Sequence, residues 1–249
     1  PRLPPDLVPS LLLDWSPSVT AIDPLEAYFE RSRFYRACAL VDRTWTPLAC
    51  SLLVRDVVVR DPTHPVLRLD CPIDPARVKR ITFAPKPRYY GSYYGMTASL
   101  RLFLPLCDAL TSLALVHADT LELADLGRAP NLVELHLHNV RIGRPASPPA
   151  PPFKLLRLET LTLDEVGFTM YRPAYATLLD PTALPSLLTL TLHHCDLAWA
   201  LFPKPRTFLL VTTFRFTHPG AFPVPHLSQL RLPALQHLTL CPVSLGDIL

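Results

Sequence analysis

The chain has 249 residues, 49% of them hydrophobic, enough to bury one large core or two modest ones, which excludes a chain disordered throughout. Its 24 basic and 21 acidic residues are interspersed and leave a net charge of +3, so no field calls for nucleic acid or a membrane surface as partner. No apolar run approaches the roughly 18 residues of a membrane span, and the opening PRLPPDLVPS has no signal-peptide layout.

Six cysteines, Cys38, Cys50, Cys71, Cys107, Cys195 and Cys241, lie far apart, mostly inside apolar runs and without CxxC or zinc-ligand spacing, so reduced, buried thiols in a cytoplasmic or nuclear protein are the expectation. A start at Pro1 suggests a trimmed chain, which leaves a lost targeting segment open. Thirty prolines stand against seven glycines. Each proline fixes φ and removes an N–H, so regular elements must be short and fit between prolines.

In chain order, residues 37 to 59 come first. Ala39, Leu40, Trp45, Leu48, Ala49 and Leu52 recur at helical spacing, whereas Val54, Val57, Val58 and Val59 favour a strand, so a helix hands over directly to a strand. Residues 86 to 96, KPRYYGSYYGM, set Lys86 and Arg88 beside four tyrosines; such residues can stack bases and hold phosphates, but a tyrosine-rich loop is the simpler reading.

From residue 110 the chain returns repeatedly to an L-x-x-L-x-L pattern, the signature of a leucine-rich repeat. The copies are Leu110-Leu113-Leu115, Leu132-Leu135-Leu137, Leu158-Leu161-Leu163, Leu187-Leu190-Leu192, Val211-Phe214-Phe216 and Leu235-Leu238-Leu240. They recur at intervals of 22, 26, 29, 24 and 24 residues, and weaker copies at Val78-Ile81-Phe83 and Val54-Val57-Val59 extend the frame backwards. Arg144 to Pro152 reads as a stiff, proline-rich surface insertion between two of them.

Within each copy the spaced leucines lie on one face of a short strand and bury themselves only against neighbouring copies, which predicts a parallel sheet in a curved solenoid. The residues between the leucines form three solvent-facing columns. The first is Ser112, Glu134, Thr160, Thr189, Thr213, His237; the second Ala114, His136, Thr162, Thr191, Arg215, Thr239; the third Val116, His138, Asp164, His193, Thr217, Cys241. Neighbouring strands about 4.8 Å apart would bring His138, Asp164 and His193 together. Imidazole and carboxylate can ligate zinc. A polar column is, however, simply what a solvated sheet face requires, and no metal is assigned. GxSxG, P-loop, GxGxxG and HExxH patterns are absent, so neither an enzyme nor a cofactor is expected.

Two segments carry a resemblance. Leu3-Pro4-Pro5-Asp6-Leu7-Val8-Pro9-Ser10-Leu11-Leu12 resembles the L-P-x-E-[LI] opening of an F-box, and Ala37 to Ala49, ACALVDRTWTPLA, resembles its C-S-L-V-C-R-x-W close. An F-box followed by repeats is similar to fungal F-box proteins of the leucine-rich-repeat type. The organisation so read is α/β, with a short helical F-box-like module at residues 1–53 and an irregular leucine-rich-repeat solenoid at 54–249, allowing repeats to be missing after Leu249.

The resemblance implies a substrate-recognition subunit of an SCF-type ubiquitin ligase. Leu3, Pro4, Leu7, Leu40, Val41 and Trp45 would dock the Skp-type adaptor and through it the cullin complex. Glu134, His136, His138, Asp164, His193, Arg215 and His237 would then meet an unknown protein substrate. Two alternatives stand beside it. One is a free-standing repeat scaffold whose helical residues cap the array; the other, with less behind it, is a nucleic-acid binder that uses the tyrosine loop.

Overall fold

A computed structural model of the protein describes residues 24–41, 43, 45–60, 74–84, 100–118, 121–142, 154–168, 178–194, 205–219 and 230–243. Leu3, Pro4 and Leu7, the tyrosine-rich loop, the proline-rich insertion and Cys71 and Cys195 lie outside the described residues.

Two helices open the described chain, α1 (Pro24–Val41) and α2 (Thr46–Arg55). The single helical stretch expected around residues 37 to 53 is therefore divided. Pro47 explains the break: a helix interior cannot supply the N–H that proline lacks, whereas the first turn leaves that N–H without an intrahelical partner, and Pro47 sits in the first turn of α2. Thr46 Oγ1 ties the new helix back to α1 by donating to the Ala39 carbonyl at 2.8 Å. The handover to a strand is immediate but falls later than expected: Val54, read as strand-favouring, lies in the last turn of α2, and β1 (Asp56–Val59) begins at the residue after Arg55.

Among the described residues eight strands form one parallel sheet, in the order β1-β2-β3-β4-β6-β8-β10-β12. Beyond β1 these are β2 (Arg80–Phe83), β3 (Ser112–Val116), β4 (Glu134–His138), β6 (Thr160–Asp164), β8 (Thr189–His193), β10 (Thr213–Pro219) and β12 (His237–Val243). Every strong and weak copy of the sequence pattern contributes one strand. The registers align leucine on leucine: Leu113 faces Leu135, Leu135 faces Leu161, Leu161 faces Leu190, and Leu190 faces Phe214. Such a register is forced, since a slip of one residue would turn each leucine out to water.

On the inner side Leu115, Leu137, Leu163 and Leu192 repeat the arrangement one pleat further along, all at most 1% exposed. Short elements close each turn behind the sheet: 3₁₀ turns at Pro75–Arg77 and Leu104–Leu106, the single helical turn α3 (Leu123–Leu126), and the two-stranded patches β5 (Arg141–Ile142) with β7 (Gly167–Phe168) and β9 (Arg206–Thr207) with β11 (Leu230–Arg231). Leu126, Ala129, Leu155, Leu179 and Leu184 fill the core from that side. The molecule is thus an α/β repeat solenoid built on a parallel sheet.

Prolines enter strands only where no ladder partner needs an N–H. The His237 N–H donates back to the Thr212 carbonyl, so alternate residues of β12 point their N–H groups away from β10, and Pro242 is one of these. Pro219 points toward β8, whose pairing with β10 ends at His193, the partner of Thr217. Both positions escape the cost that proline would impose in the middle of a ladder.

A second regularity closes the strands. His117, Asn139, Glu165 and His194 each follow a strand directly and adopt positive φ, from 45° to 57°. Each donates its N–H to the next strand at 2.8–3.0 Å: His117, Asn139 and Glu165 to the last carbonyls of theirs, His138, Asp164 and His193, and His194 to Thr217, two residues before the end of β10. The left-handed residue extends the ladder by one bond while turning the chain off the sheet. Asn and His adopt this conformation more readily than most residues. Glu165 does so without that advantage.

Candidate functional site

The columns predicted from the repeats are present in the predicted register, but two members of the second, Ala114 and Thr191, are buried rather than solvent-facing. Glu134 pairs with Thr160, His136 with Thr162, His138 with Asp164, Asp164 with His193, Arg215 with Thr191 and with Thr239, and His237 with Thr213. Glu134, Arg215 and His237 are exposed; His136, His138, Asp164 and His193 are half-buried. Between the acidic and basic ends lies a stretch of threonines, Thr160, Thr162, Thr189, Thr191 and Thr213, of which Thr191 is buried.

Titratable groups concentrate at the strand ends. The Asp164 carboxylate is the hub: its Oδ2 lies 2.8 Å from His138 Nδ1 and its Oδ1 3.8 Å from His194 Nδ1. The tautomer that fits the shorter contact carries the proton on Nδ1, donates it to Asp164, and leaves Nε2 as an acceptor. The His117 ring meets His138 edge to face, with centroids 5.3 Å apart.

His193, the register partner of Asp164, has its pKa lowered. Burial is the main cause, and His194 and Arg215 push the same way against the pull of Asp164. The cluster is therefore one carboxylate among four imidazoles, one of which resists protonation. Sequence spacing brought out His138, Asp164 and His193 but missed His117 and His194. These two enter only through the positive-φ turns, and histidine just after a strand was the available signal. Among the described residues no group of three or more His, Cys, Asp and Glu is placed to hold a metal ion.

The helical residues divide into two kinds. Leu40 is 88% exposed and Val41 70% exposed at the C-terminal end of α1. Trp45 is instead half-buried, packed with Phe34, Ala39, Leu48 and Leu53 around a small core of Tyr35, Cys38, Ala49 and Leu52. That core is separate from the one that runs through the solenoid. The two helices are fastened to the sheet by an ion pair, with Arg31 Nε 2.6 Å from Asp56 Oδ2. Asp56 is 7% exposed, and its other oxygen, Oδ1, is buried without a hydrogen-bond partner among the described residues. Tyr35 lies in the same region, its pKa raised mainly by burial.

Of the cysteines, Cys38 and Cys107 are buried free thiols as expected, whereas Cys50 and Cys241 are exposed, on the outer face of α2 and on the last described strand, against the expectation of burial. Burial, with Asp108 adding to it, pushes Cys107 up to about 12. Among the described residues no helix is long and apolar enough to cross a membrane. No protein-family model matches the chain, and no curated protein matches it.

Proposed function

We propose that the protein is the substrate-recognition subunit of an SCF-type ubiquitin ligase, docking a Skp-type adaptor through its N-terminal helices and a protein substrate on the solvent face of its sheet. The observation that carries this reading is the exposed pair Leu40 and Val41 at the end of α1. Two large aliphatic side chains almost fully in water beside a separately cored helix pair are what a helix-in-groove partner would cover. A helix pair serving only to close the solenoid would turn such residues inward and merge its core with that of the repeats. Here the two cores are distinct.

On this reading Glu134, His136, His138, Asp164, His193, Arg215 and His237 contact the substrate, and the chain has no catalytic role of its own. Leu3, Pro4 and Leu7 complete the adaptor surface, with Trp45 as a partly buried support beneath it. The half-burial of Trp45 favours a second reading, a free-standing interaction scaffold in which this tryptophan only holds α1 against α2. Co-purification of the full chain with a Skp-type adaptor, before and after Leu40→Asp with Val41→Asp, separates the two. Adaptor capture that the double variant loses supports docking, and no capture by the parent chain supports the scaffold.

A further inference from the structure

The face of α2 that points away from α1 lies across from the Pro75–Arg77 turn. Ala49 and Leu52 turn inward to α1, whereas Pro47, Cys50, Ser51, Val54 and Arg55 form the other face at helical spacing. Together with Ala76, Arg77, Lys79 and Ala109 they line a groove of about 390 Å³. That volume lies within the roughly 300 to 1,000 Å³ of small-molecule sites.

Among the described residues the lining carries three cations, Arg55, Arg77 and Lys79, and no acid. Arg77 and Lys79 are exposed, and no ion pair involves them or Arg55 among the described residues. The nearest acid along the chain, Asp56, directly follows Arg55 but is buried and paired with Arg31, its Oδ2 2.6 Å from Arg31 Nε; the others are peripheral. Asp74 accepts the Ala76 N–H at 3.1 Å as the cap of the 3₁₀ turn, and Asp108 precedes Ala109.

The walls are also fixed in place. Lys79 donates its N–H to the Arg55 carbonyl at 2.9 Å and accepts at its own carbonyl from Thr111 and Ser112, which pins α2, the 3₁₀ turn and the third strand together. Hydrogen-bonded walls, apolar groups from Pro47, Val54, Ala76 and Ala109, and three cations without an ion-pair partner among the described residues describe a preformed site.

We infer that the groove between α2 and the Pro75–Arg77 turn binds a small, multiply charged anion, carboxylate- or phosphate-bearing, on an apolar body. The inference does not depend on adaptor docking. Cys50, exposed on the groove wall, reports occupancy.

The probe is the dianionic disulfide dithiobis(nitrobenzoate), set against the uncharged disulfide dithiodipyridine, with Cys50 followed by peptide mass mapping. In the reaction the Cys50 thiol gives its proton to solvent and its sulfur bonds one thionitrobenzoate. The S–S bond of the probe breaks, and the second thionitrobenzoate leaves with the electron pair as a thiolate.

Focusing by the three cations should favour the anionic over the neutral reagent about tenfold or more relative to free cysteine. The preference should fall with ionic strength and vanish in Arg77→Glu with Lys79→Glu. Lys79→Gln alone should roughly halve it or more, which gives a milder variant should the double one not fold.

Pyrophosphate and citrate, each at fixed ionic strength, distinguish the two anion chemistries by which of them slows labelling of Cys50. A ratio no greater than that of free cysteine, a ratio untouched by charge reversal, or protection by neither anion would overturn the inference.

Discussion

Truncating one leucine in the middle of the stack and one at its last described strand should give very different losses. Leu137 is fully buried on β4, in register with Leu115 on one side and Leu163 on the other. Leu137→Ala removes three carbons, worth about 2.4 kcal/mol at about 0.8 kcal/mol per buried methylene. The ladder bonds hold the neighbouring strands apart, so the hole cannot close, and a cavity term brings the expected loss to about 3 to 4 kcal/mol.

Leu240 stands in the equivalent row of β12 but is 43% exposed, because no strand covers its far side among the described residues. Scaling the same transfer energy by its burial gives about 1.4 kcal/mol, with no cavity term where water can enter. Urea unfolding followed by far-UV circular dichroism, at unchanged m-value, measures both. Against a total stability of about 5 to 15 kcal/mol, the Leu137 loss would shift the midpoint conspicuously and the Leu240 loss modestly. Equal losses, or a larger one at Leu240, would refute the account of an uncovered last turn and the packing gradient it rests on.

Arg31→Ala should cost about 3 to 5 kcal/mol, since it strands the buried Asp56 carboxylate, whereas Arg31→Ala with Asp56→Ala should recover much of that loss; chemical denaturation of the three chains checks it. His193 has a lowered folded pKa, so protonating it opposes folding. Its contribution is intact above the unfolded value near 6.5 and is lost as pH falls below it, and a melting-temperature profile from pH 7.5 to 5 should flatten there in His193→Gln. Native alkylation near pH 8 should label Cys50 and Cys241 while Cys107, with its thiol pushed up to about 12 by burial, reacts only after unfolding. Charge reversal at the exposed Arg215 should leave stability within about 0.5 kcal/mol yet change which proteins co-purify.

The solenoid was legible because its physics is periodic. Leucines at fixed spacing can be buried in one register only, so Leu135, Leu161 and Leu190, and with them the intervening Glu134, Thr160 and Thr189, could be placed before any coordinate. Even Val57 and Ile81, in weak copies, fell into the same frame.

What stayed hidden depends on backbone conformation rather than on period. The left-handed turns bring the His194 imidazole to Asp164 and the His117 imidazole against His138, and no hydrophobic pattern encodes a positive φ. The break between α1 and α2 was written in Pro47, but the apolar spacing of Ala39, Leu40, Trp45 and Leu48 runs across it and masks it. The exposure of Leu40 against the half-burial of Trp45 follows from how the two helices pack, which spacing alone cannot decide. The groove of Arg55, Arg77 and Lys79 assembles residues from a helix, a turn and a strand approach, and no single stretch of sequence contains it.

The most direct test of the proposed function is the affinity of the full chain for a purified Skp-type adaptor, measured for the parent and for Leu40→Asp with Val41→Asp. Both side chains are in water, and two carboxylates in the last turn of α1 oppose its dipole by about 0.3 to 1 kcal/mol each, so the double variant should stay folded and lose no more than about 2 kcal/mol in urea unfolding. The account predicts a specific complex with the parent chain and a loss of at least about tenfold in affinity, some 1.4 kcal/mol, in the variant. An adaptor that does not bind the parent, or that binds parent and variant alike, would contradict it.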